Sequence, residues 1–455
     1  MNRTFPRSWI IAIGLLGLSM PVCAQPAPPT TRPANRSDAN GNPIRTATKT
    51  GHISNYDEAK VGTYTLPDPL VLASGQPVRE ADTWFKERRP EILKLYETEI
   101  YGAVPANAAK VTWSVASTDP AAMNNSAIMK RIVGQIGDRE NSPRVNVTMY
   151  TPAGAKGPVP IVLCINFGFP AAGARGRGPA TVPARAPATA PARANAPARV
   201  GAGFGDPIAD ILARGWGYAT LVYTEVQPDN ANTFSSGVIA MTLAPGQSKP
   251  ADDQWGTISA WSWGISRVID YFETDKAIDA KHVSIMGHSR LGKTVLWAGA
   301  QDRRIAAVFS SCSGEMGASL ARRDWGETVD DMAQNFAWQF CGNFQKYAGH
   351  WNQMPVDSHM LIALNAPHPV FINGGTTDQW ADPRGEFLAE VAAGPVYRLL
   401  GLKDLGTTEM PPLDVAQTSG DLGWIYHTGG HMAAPQDWRA FLEFAGRHFA
   451  ATPAR

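Results

Sequence analysis

An apolar run that breaks at a serine flanked by glycines constrains this chain more than any other segment. It extends from Val283 to Lys293 and reads VSIMGHSRLGK, and a second apolar stretch, TVLWAGA, follows directly. This order predicts a strand, a sharp turn and a helix. Such a turn holds the Ser289 hydroxyl above the end of a sheet, beside the backbone N–H groups at the start of the helix. The segment therefore predicts a nucleophilic serine.

The spacing of the glycines departs from the usual nucleophile elbow. The common pattern is G-x-S-x-G, whereas here the second glycine, Gly292, falls one place later and Leu291 takes the position of the small residue. On spacing alone, a buried structural serine in an ordinary strand-to-helix turn remains an alternative.

Strand-like and helix-like segments alternate along most of the chain. Apolar periodicity predicts one helix around Trp84 to Ile100 and another at 255–272. The runs that predict strands are 132–136, 145–150, 160–166, 217–223, 306–310 and 369–373. Such alternation predicts an α/β fold with a mostly parallel central sheet and helices on both faces. This three-layer order fits an α/β-hydrolase.

The first residues have the pattern of a targeting segment. Arg3 and Arg7 precede an apolar stretch at 9–20 and small residues ending at Ala24. This predicts a cleavable export signal at 1–24, too short to span a bilayer. Residues 25–63 are rich in Pro, Thr, Asn, Asp and Gly without apolar periodicity, and they predict a flexible arm before a single catalytic domain at 64–455.

Composition limits the partners. Lys+Arg 41 against Asp+Glu 40 leaves no net field that would attract nucleic acid or an anionic membrane. An Ala/Pro/Arg/Gly tract at about 170–203 lacks large apolar residues and predicts a disordered insertion, with a polyanion-binding arm as the alternative. We expect an exported, soluble monomer.

Three cysteines remain once the signal is removed: Cys164, Cys312 and Cys341. In a compartment that permits disulfides, one pair plus one free thiol is the simplest expectation, and we expect the pair to be Cys312 with Cys341. Three buried, reduced thiols are the alternative.

A serine nucleophile needs a base and an acid. In this fold the base follows the last strand, and only His427 and His431, in the loop YHTGGH, lie there. The acid should lie at a strand end, and Asp378 follows the apolar stretch FINGGTT. Glu315 and Asp382 remain alternatives, although Asp382 before a proline also suits the start of a helix.

Six motifs spread over most of the chain resemble one family of esterases. They are WG at 255–256, WSWG at 261–264, GHSRLGK at 287–293, WAGA at 297–300, CGNF at 341–344 and DQWADPRGEFL at 378–388. Together they resemble the bacterial glucuronoyl esterases, carbohydrate esterase family fifteen, from about residue 66 to 438. The resemblance implies a serine esterase of the α/β-hydrolase fold that needs no metal and no organic cofactor.

The resemblance also implies a role for particular residues. It favours His431 as the base, and it favours Asp378 as the acid because Cys312 occupies the family's other place for that carboxylate. It assigns Arg290 to the oxyanion, for which a structural salt bridge is the alternative.

The resemblance extends to the substrate. Lys293 and Glu327 would bind sugar hydroxyls, and Trp380 would shape the uronate site. The implied reaction cleaves the ester between (4-O-methyl-)glucuronic acid of glucuronoxylan and a lignin alcohol, through an acyl-enzyme on Ser289. An acetyl xylan esterase or broad carboxylesterase is one alternative. A catalytically impaired carbohydrate-binding protein is another, because Cys312 cannot serve as the acid.

Overall fold

The computed structural model describes residues 36–138, 142–168 and 207–451. Nine strands of the described residues form one sheet: β1 Val111–Ala121, β2 Ala127–Ile136, β3 Arg144–Pro152, β4 Val159–Asn166, β5 Gly217–Val222, β6 Ile278–His288, β7 Ile305–Ser311, β8 Val370–Gly375 and β9 Leu422–His427. Their order is β9-β8-β7-β6-β4-β5-β3-β2-β1. The six strands from β9 to β5 in this order are parallel, and β3, β2 and β1 continue the sheet antiparallel.

Helices cover this sheet. The longer ones are α1 Arg89–Glu99, α2 Ile208–Ala213, α3 Thr257–Phe272, α4 Arg290–Gln301, α5 Val329–Asn335, α6 Ser358–Ala363, α7 Pro383–Leu399 and α8 Pro435–Ala451. Shorter helical pieces are Ala81–Thr83, Trp84–Arg88, Ala122–Asn125, Tyr223–Val226 and Gly237–Ala240, and short 3-10 turns lie in the loops. A two-residue strand pair, Arg36–Ser37 with Pro43–Ile44, precedes the domain.

Two apolar layers lie on opposite faces of the sheet. Along β4, Ile161 and Leu163 belong to one buried cluster, whereas Val162 and Cys164 belong to the other. Because successive strand residues point to opposite faces, the two clusters flank the sheet. The first includes apolar residues of α1, α3, α4 and α7, and the second includes those of α2 and α8. The predicted mostly parallel sheet with helices on both faces is confirmed.

The parallel strands bring four loops to one edge of the sheet. His288 pairs with Ser311 across β6 and β7, Asn373 pairs with Ser311 across β8 and β7, and Gly375 pairs with His427 across β8 and β9. The carboxyl ends of parallel strands are where α/β folds place their sites. The loops that follow these strands carry the predicted serine, acid and base.

The arm before the domain differs from expectation. Residues 36–63, which we call the arm, were expected to be flexible, but they pack against the domain. The Gly326 N–H donates to Asn55 O at 3.0 Å, and the His52 ring lies 2.9 Å from the Asp324 carboxylate. Scattered polar and aromatic contacts hold the arm against the domain, so its sequence carries no apolar periodicity.

The cysteine pairing expected from the sequence is wrong. The three described cysteines are free and buried, as in the reduced alternative. The Cys312 thiol lies 3.4 Å from Met432 O, and the Cys341 thiol lies 3.6 Å from Thr98 O. The two thiols belong to different neighbourhoods, and sequence spacing cannot reveal whether two cysteines meet the geometry of a disulfide.

Two predicted segments lie outside the described residues. These are the export signal at 1–24 and the whole of the insertion at about 170–203, which stay predictions. Within the part of the chain that the structure describes, no helix is both long enough and apolar enough to cross a membrane.

Candidate active site

Ser289 occupies a strained turn between β6 and α4. Its backbone has φ 58° and ψ −129°, a region that costs a residue other than glycine of the order of 1–3 kcal/mol. The turn is fixed by two hydrogen bonds, from Ser289 N–H to Ser311 O at 2.8 Å and from Gly292 N–H to Ser289 O at 2.7 Å. The rest of the fold therefore holds the serine half-buried in the sharp turn that a nucleophile elbow requires.

The unusual glycine spacing has a steric explanation. A Cβ at Gly287 would lie 2.1 Å from Leu291 O, so the turn cannot form with any larger residue there. A Cβ at Gly292 would lie 2.8 Å from the Ser313 side chain. A glycine is needed at position 292 because this position of α4 packs against the end of β7 and the loop that follows it.

The start of α4 provides an environment for negative charge. Arg290 is the first residue of this helix, so its backbone N–H has no acceptor within the helix. The aligned peptide dipoles add partial positive charge at the same end. An oxyanion formed on an acyl carbon attached to Ser289 would be stabilised here.

His431 and Asp378 lie together at the carboxyl edge of the sheet. The ring Nδ1 of His431 is 2.6 Å from Asp378 Oδ2, and the side chains are 40% and 6% exposed. The Thr377 N–H donates to Gly429 O at 2.8 Å and ties the two loops together. A carboxylate on Nδ1 fixes the tautomer that leaves Nε2 as the acceptor for a serine proton.

The ring of His288 lies between the nucleophile segment and the His431–Asp378 pair. His288 immediately precedes Ser289, and its ring centroid lies 4.3 Å from that of His431. The His288 ring therefore packs directly on the ring of the predicted base. Burial and the neighbouring His431 lower the pKa of His288 well below its usual value, so it is neutral. Among the described residues no hydrogen bond joins the Ser289 hydroxyl to His431.

The other two candidate acids are engaged elsewhere. Asp382 accepts from Gly385 N–H at 3.0 Å at the start of α7 and binds Arg323 Nε at 3.0 Å. Glu315 is 2% exposed, and burial raises its pKa well above the usual value. Neither carboxylate is hydrogen-bonded to His431.

His427 stabilises the loop that carries His431. Its ring is fully buried, with Nδ1 3.0 Å from Asp437 Oδ2 and Nε2 3.1 Å from Gly430 O. Both nitrogens face acceptors, and only the protonated imidazolium donates from both. Burial lowers the pKa of His427, but Asp437 outweighs it and the net pKa lies above the ordinary value.

Arg290 forms a salt bridge, the alternative given for it above, with a partner that the sequence did not identify. Its Nη1 lies 2.5 Å from Asp229 Oδ2, and its guanidinium lies 5.1 Å from the centroid of the Phe336 ring. Asp229 belongs to the loop after β5, about sixty residues before the elbow, and no local motif identifies it.

The three residues expected to bind sugar form one cluster. Lys293 Nζ lies 3.2 Å from Glu327 Oε2, with side chains 4% and 12% exposed. Trp380 Nε1 donates to Glu327 Oε1 at 3.1 Å. The arm adds Arg45, whose guanidinium lies 4.4 Å from the centroid of the Trp380 ring. Arg45 has no signal in the sequence, because it belongs to the arm that was predicted to be flexible.

Among the described residues, one group of side chains has the composition of a metal site. The potential ligand atoms of Cys312, Asp378 and His431 lie within 4.8 Å of one another. The acid and the imidazole of this group already bind each other at 2.6 Å. This contact is the one expected of the predicted acid and base, and we derive no metal chemistry from the group.

The comparisons with known proteins agree over most of the chain. A family model described as "Glucuronyl esterase, fungi" matches residues 249–401. Carbohydrate esterase MZ0003, from an unknown prokaryotic organism, is 40% identical over 412 residues, which cover 87% of this chain and 92% of that protein. The solved structure of a glucuronoyl esterase from Solibacter usitatus is 39% identical with a TM-score of 0.77, covering 86% of this chain and 100% of that one. A structure described as a promiscuous CE15 esterase from the marine bacterial metagenome is 40% identical with a TM-score of 0.76, covering 87% and 100%.

Proposed function

The chain belongs to carbohydrate esterase family 15, the glucuronoyl esterases, and on that premise we propose that it hydrolyses the ester between (4-O-methyl-)glucuronic acid of glucuronoxylan and a lignin alcohol. One observation carries the proposal. The segments after β6, β7, β8 and β9 carry a strained serine, a 2.6 Å acid–histidine pair and a buried Lys–Glu–Trp cluster, all following the carboxyl ends of these strands.

The proposed reaction proceeds through an acyl-enzyme. The Ser289 hydroxyl attacks the uronate carbonyl carbon while His431 Nε2 takes its proton, and the alcohol leaves with that proton. Water then attacks the acyl group, His431 again transfers the proton, and the uronic acid is released. Asp378 keeps the ring in the reactive tautomer and stabilises the imidazolium. Catalytic hydrogen bonds are often long in free enzymes, and the serine–histidine contact closes when substrate binds.

The negative charge of the tetrahedral intermediate forms beside α4. Arg290 contributes its backbone N–H and, from its side chain, a guanidinium held at Asp229. Removal of one oxyanion donor in hydrolases of this chemistry costs on the order of 10²–10³ in kcat.

The buried cluster supports recognition of a sugar acid. Lys293 supplies donors, Glu327 supplies acceptors, and Trp380 offers an aromatic surface for a sugar ring. An unpaired polar group in such a pocket costs about 1–3 kcal/mol, so a substrate lacking the sugar hydroxyls would bind less well.

A broader carboxylesterase activity is the second candidate. One structure 40% identical to this chain is described as promiscuous. The third reading, a catalytically impaired carbohydrate-binding protein, depended on Cys312 replacing the acid, and the hydrogen bond between Asp378 and His431 removes that ground.

The test compares a glucuronate benzyl ester with p-nitrophenyl acetate. We expect the wild-type enzyme to prefer the glucuronate ester, Ser289→Ala to lose hydrolysis of both, and a serine-directed phosphonate to label only the wild type. Glu327→Gln is the matched control for the sugar: it should lower kcat/KM for the glucuronate ester and spare the acetate. Full activity of Ser289→Ala refutes the mechanism, and equal rates on the two esters favour the broad carboxylesterase.

We also propose that the protein acts outside the cytoplasm. A polymeric lignin–xylan ester cannot enter the cell, and the predicted signal at 1–24 would export the enzyme to it. Sequencing of the exported protein should begin at Gln25. Retention of the apolar segment would contradict cleavage.

A further inference from the structure

We propose that Asp229 is a positioning residue for this reaction, one that holds the Arg290 guanidinium ready for the oxyanion. The inference rests on the proposed function. Asp229 lies in the loop after β5, and its side chain is 4% exposed. A carboxylate this buried is found in proteins where donors compensate it, and here the donors come from three parts of the chain.

Both oxygens of the Asp229 carboxylate are occupied. Oδ2 accepts from Arg290 Nη1 at 2.5 Å and from Tyr223 O–H at 3.2 Å. Oδ1 accepts from Trp338 Nε1 at 2.7 Å and from Gln339 Nε2 at 3.0 Å. Four donors on two oxygens fix the plane of the carboxylate, so its position is set before substrate arrives.

The tyrosine in this network remains a donor. Burial, together with the charge of Asp229, raises the pKa of Tyr223 to about 12. Tyr223 therefore stays protonated near neutral pH and keeps its hydrogen bond to the carboxylate.

Arg290 is held from two sides and retains free donors. Asp229 fixes Nη1, and the Phe336 ring lies 5.1 Å from the guanidinium carbon. Among the described residues no other group accepts from Nε or Nη2, and the side chain is 30% exposed. An arginine fixed in advance loses less rotamer freedom when the transition state forms.

A purely structural role would give a different pattern of kinetics. Asp229 also ties the loop after β5 to the segment around Trp338, so its removal could act through the fold alone. In that case the loss of activity would be the same whether or not Arg290 is present. If Asp229 acts through Arg290, the two substitutions are not additive.

The experiment is a double-mutant cycle of Asp229→Asn and Arg290→Ala. Asn keeps the shape and the acceptor for Trp338 but loses the charge that holds Arg290. We expect the kcat of D229N to fall by at least about tenfold and its KM to change by less than about twofold. In the R290A background the same substitution should change kcat by less than about twofold.

Two further variants separate positioning from folding. Trp338→Phe removes a donor from Oδ1 and keeps the contact with Arg290, so it should lose much less kcat than D229N. Asp229→Glu restores the charge and should recover part of the loss. Unchanged kcat in D229N, or an equal loss in both Arg290 backgrounds, overturns the inference.

The choice of substrates keeps this inference separate from the proposed function. If the wild type hydrolyses only p-nitrophenyl acetate, the glucuronate proposal fails while the cycle is still measured on the acetate. Additive losses on a good glucuronate ester refute the positioning role alone. Hydrolysis of neither ester refutes both.

Discussion

Replacement of Asp378 by Asn should reduce kcat by roughly 10² to 10³. The His431 Nδ1 and Asp378 Oδ2 atoms are 2.6 Å apart, which places the charge centres of imidazolium and carboxylate about 4 Å apart. At an effective dielectric of about 20, two unit charges at this distance attract by about 4 kcal/mol, close to a thousandfold in rate. The ring is 40% exposed, so solvent screening reduces the effect, and the lower figure is the expected minimum.

The assay is steady-state hydrolysis of the benzyl ester of glucuronic acid at neutral pH, with thermal unfolding measured on the same samples. KM should change little, because Asp378 contacts His431 and so acts on the chemical step through that residue. Asp382→Asn is the matched control: its carboxylate caps α7 and binds Arg323, so it should cost stability more than rate in the folded protein. A D378N variant that keeps more than about a third of wild-type kcat would refute the assignment of the acid.

Moving the carboxylate from position 378 to position 312 gives a second test of the same assignment. Cys312 lies in the same cluster, within 4.8 Å of both ligand atoms, and its φ of 44° suits Asp better than most residues. We expect C312D with D378N to regain roughly tenfold over D378N alone. C312S with D378N adds no carboxylate and should regain nothing; equal rates in the two double variants would refute the relocation.

Two other predictions concern stability. His427→Gln should destabilise the protein below about pH 6.5, where the wild-type imidazolium binds Asp437 in full, and the difference should shrink as pH rises through the raised pKa of the folded state. Urea unfolding of both proteins across this range measures it, and a difference that grows with pH would contradict the protonated form. Reducing agent should leave the melting temperature unchanged, and alkylation under denaturing conditions with peptide mapping should find three unpaired thiols. They are Cys164, Cys312 and Cys341.

The elbow and the proposed base and acid could be located in the sequence because each has a local signal. An apolar run followed by a glycine-flanked serine defines the elbow, and loops at the ends of parallel strands define the places of the other two. The sequence left Asp378 with two rivals, Glu315 and Asp382. The fold separates them, because Asp382 is engaged at Arg323, Glu315 is buried, and Asp378 is the carboxylate hydrogen-bonded to His431.

Features that arise only from tertiary contacts had no local signal in the amino-acid sequence. Asp229 lies in an ordinary polar loop and gains its neighbours from distant segments. Strand β1 was missed because Val111–Ala121 is mostly exposed at the edge of the sheet, without buried alternation. The predicted disulfide between Cys312 and Cys341 was wrong for the same reason, because spacing along the chain does not give the distance between two residues in the fold.

Because the arm packs against the domain, the folded part of the enzyme includes residues before Tyr64. A recombinant form started at Tyr64, the boundary that apolar periodicity suggested, would keep the elbow, the Asp378–His431 pair and both apolar layers. It would lose Arg45 from the face of Trp380 and uncover the loop around Asp324. We expect such a shortened enzyme to fold and still cleave simple esters while losing the proposed selectivity for the sugar, so that truncation would be mistaken for natural promiscuity.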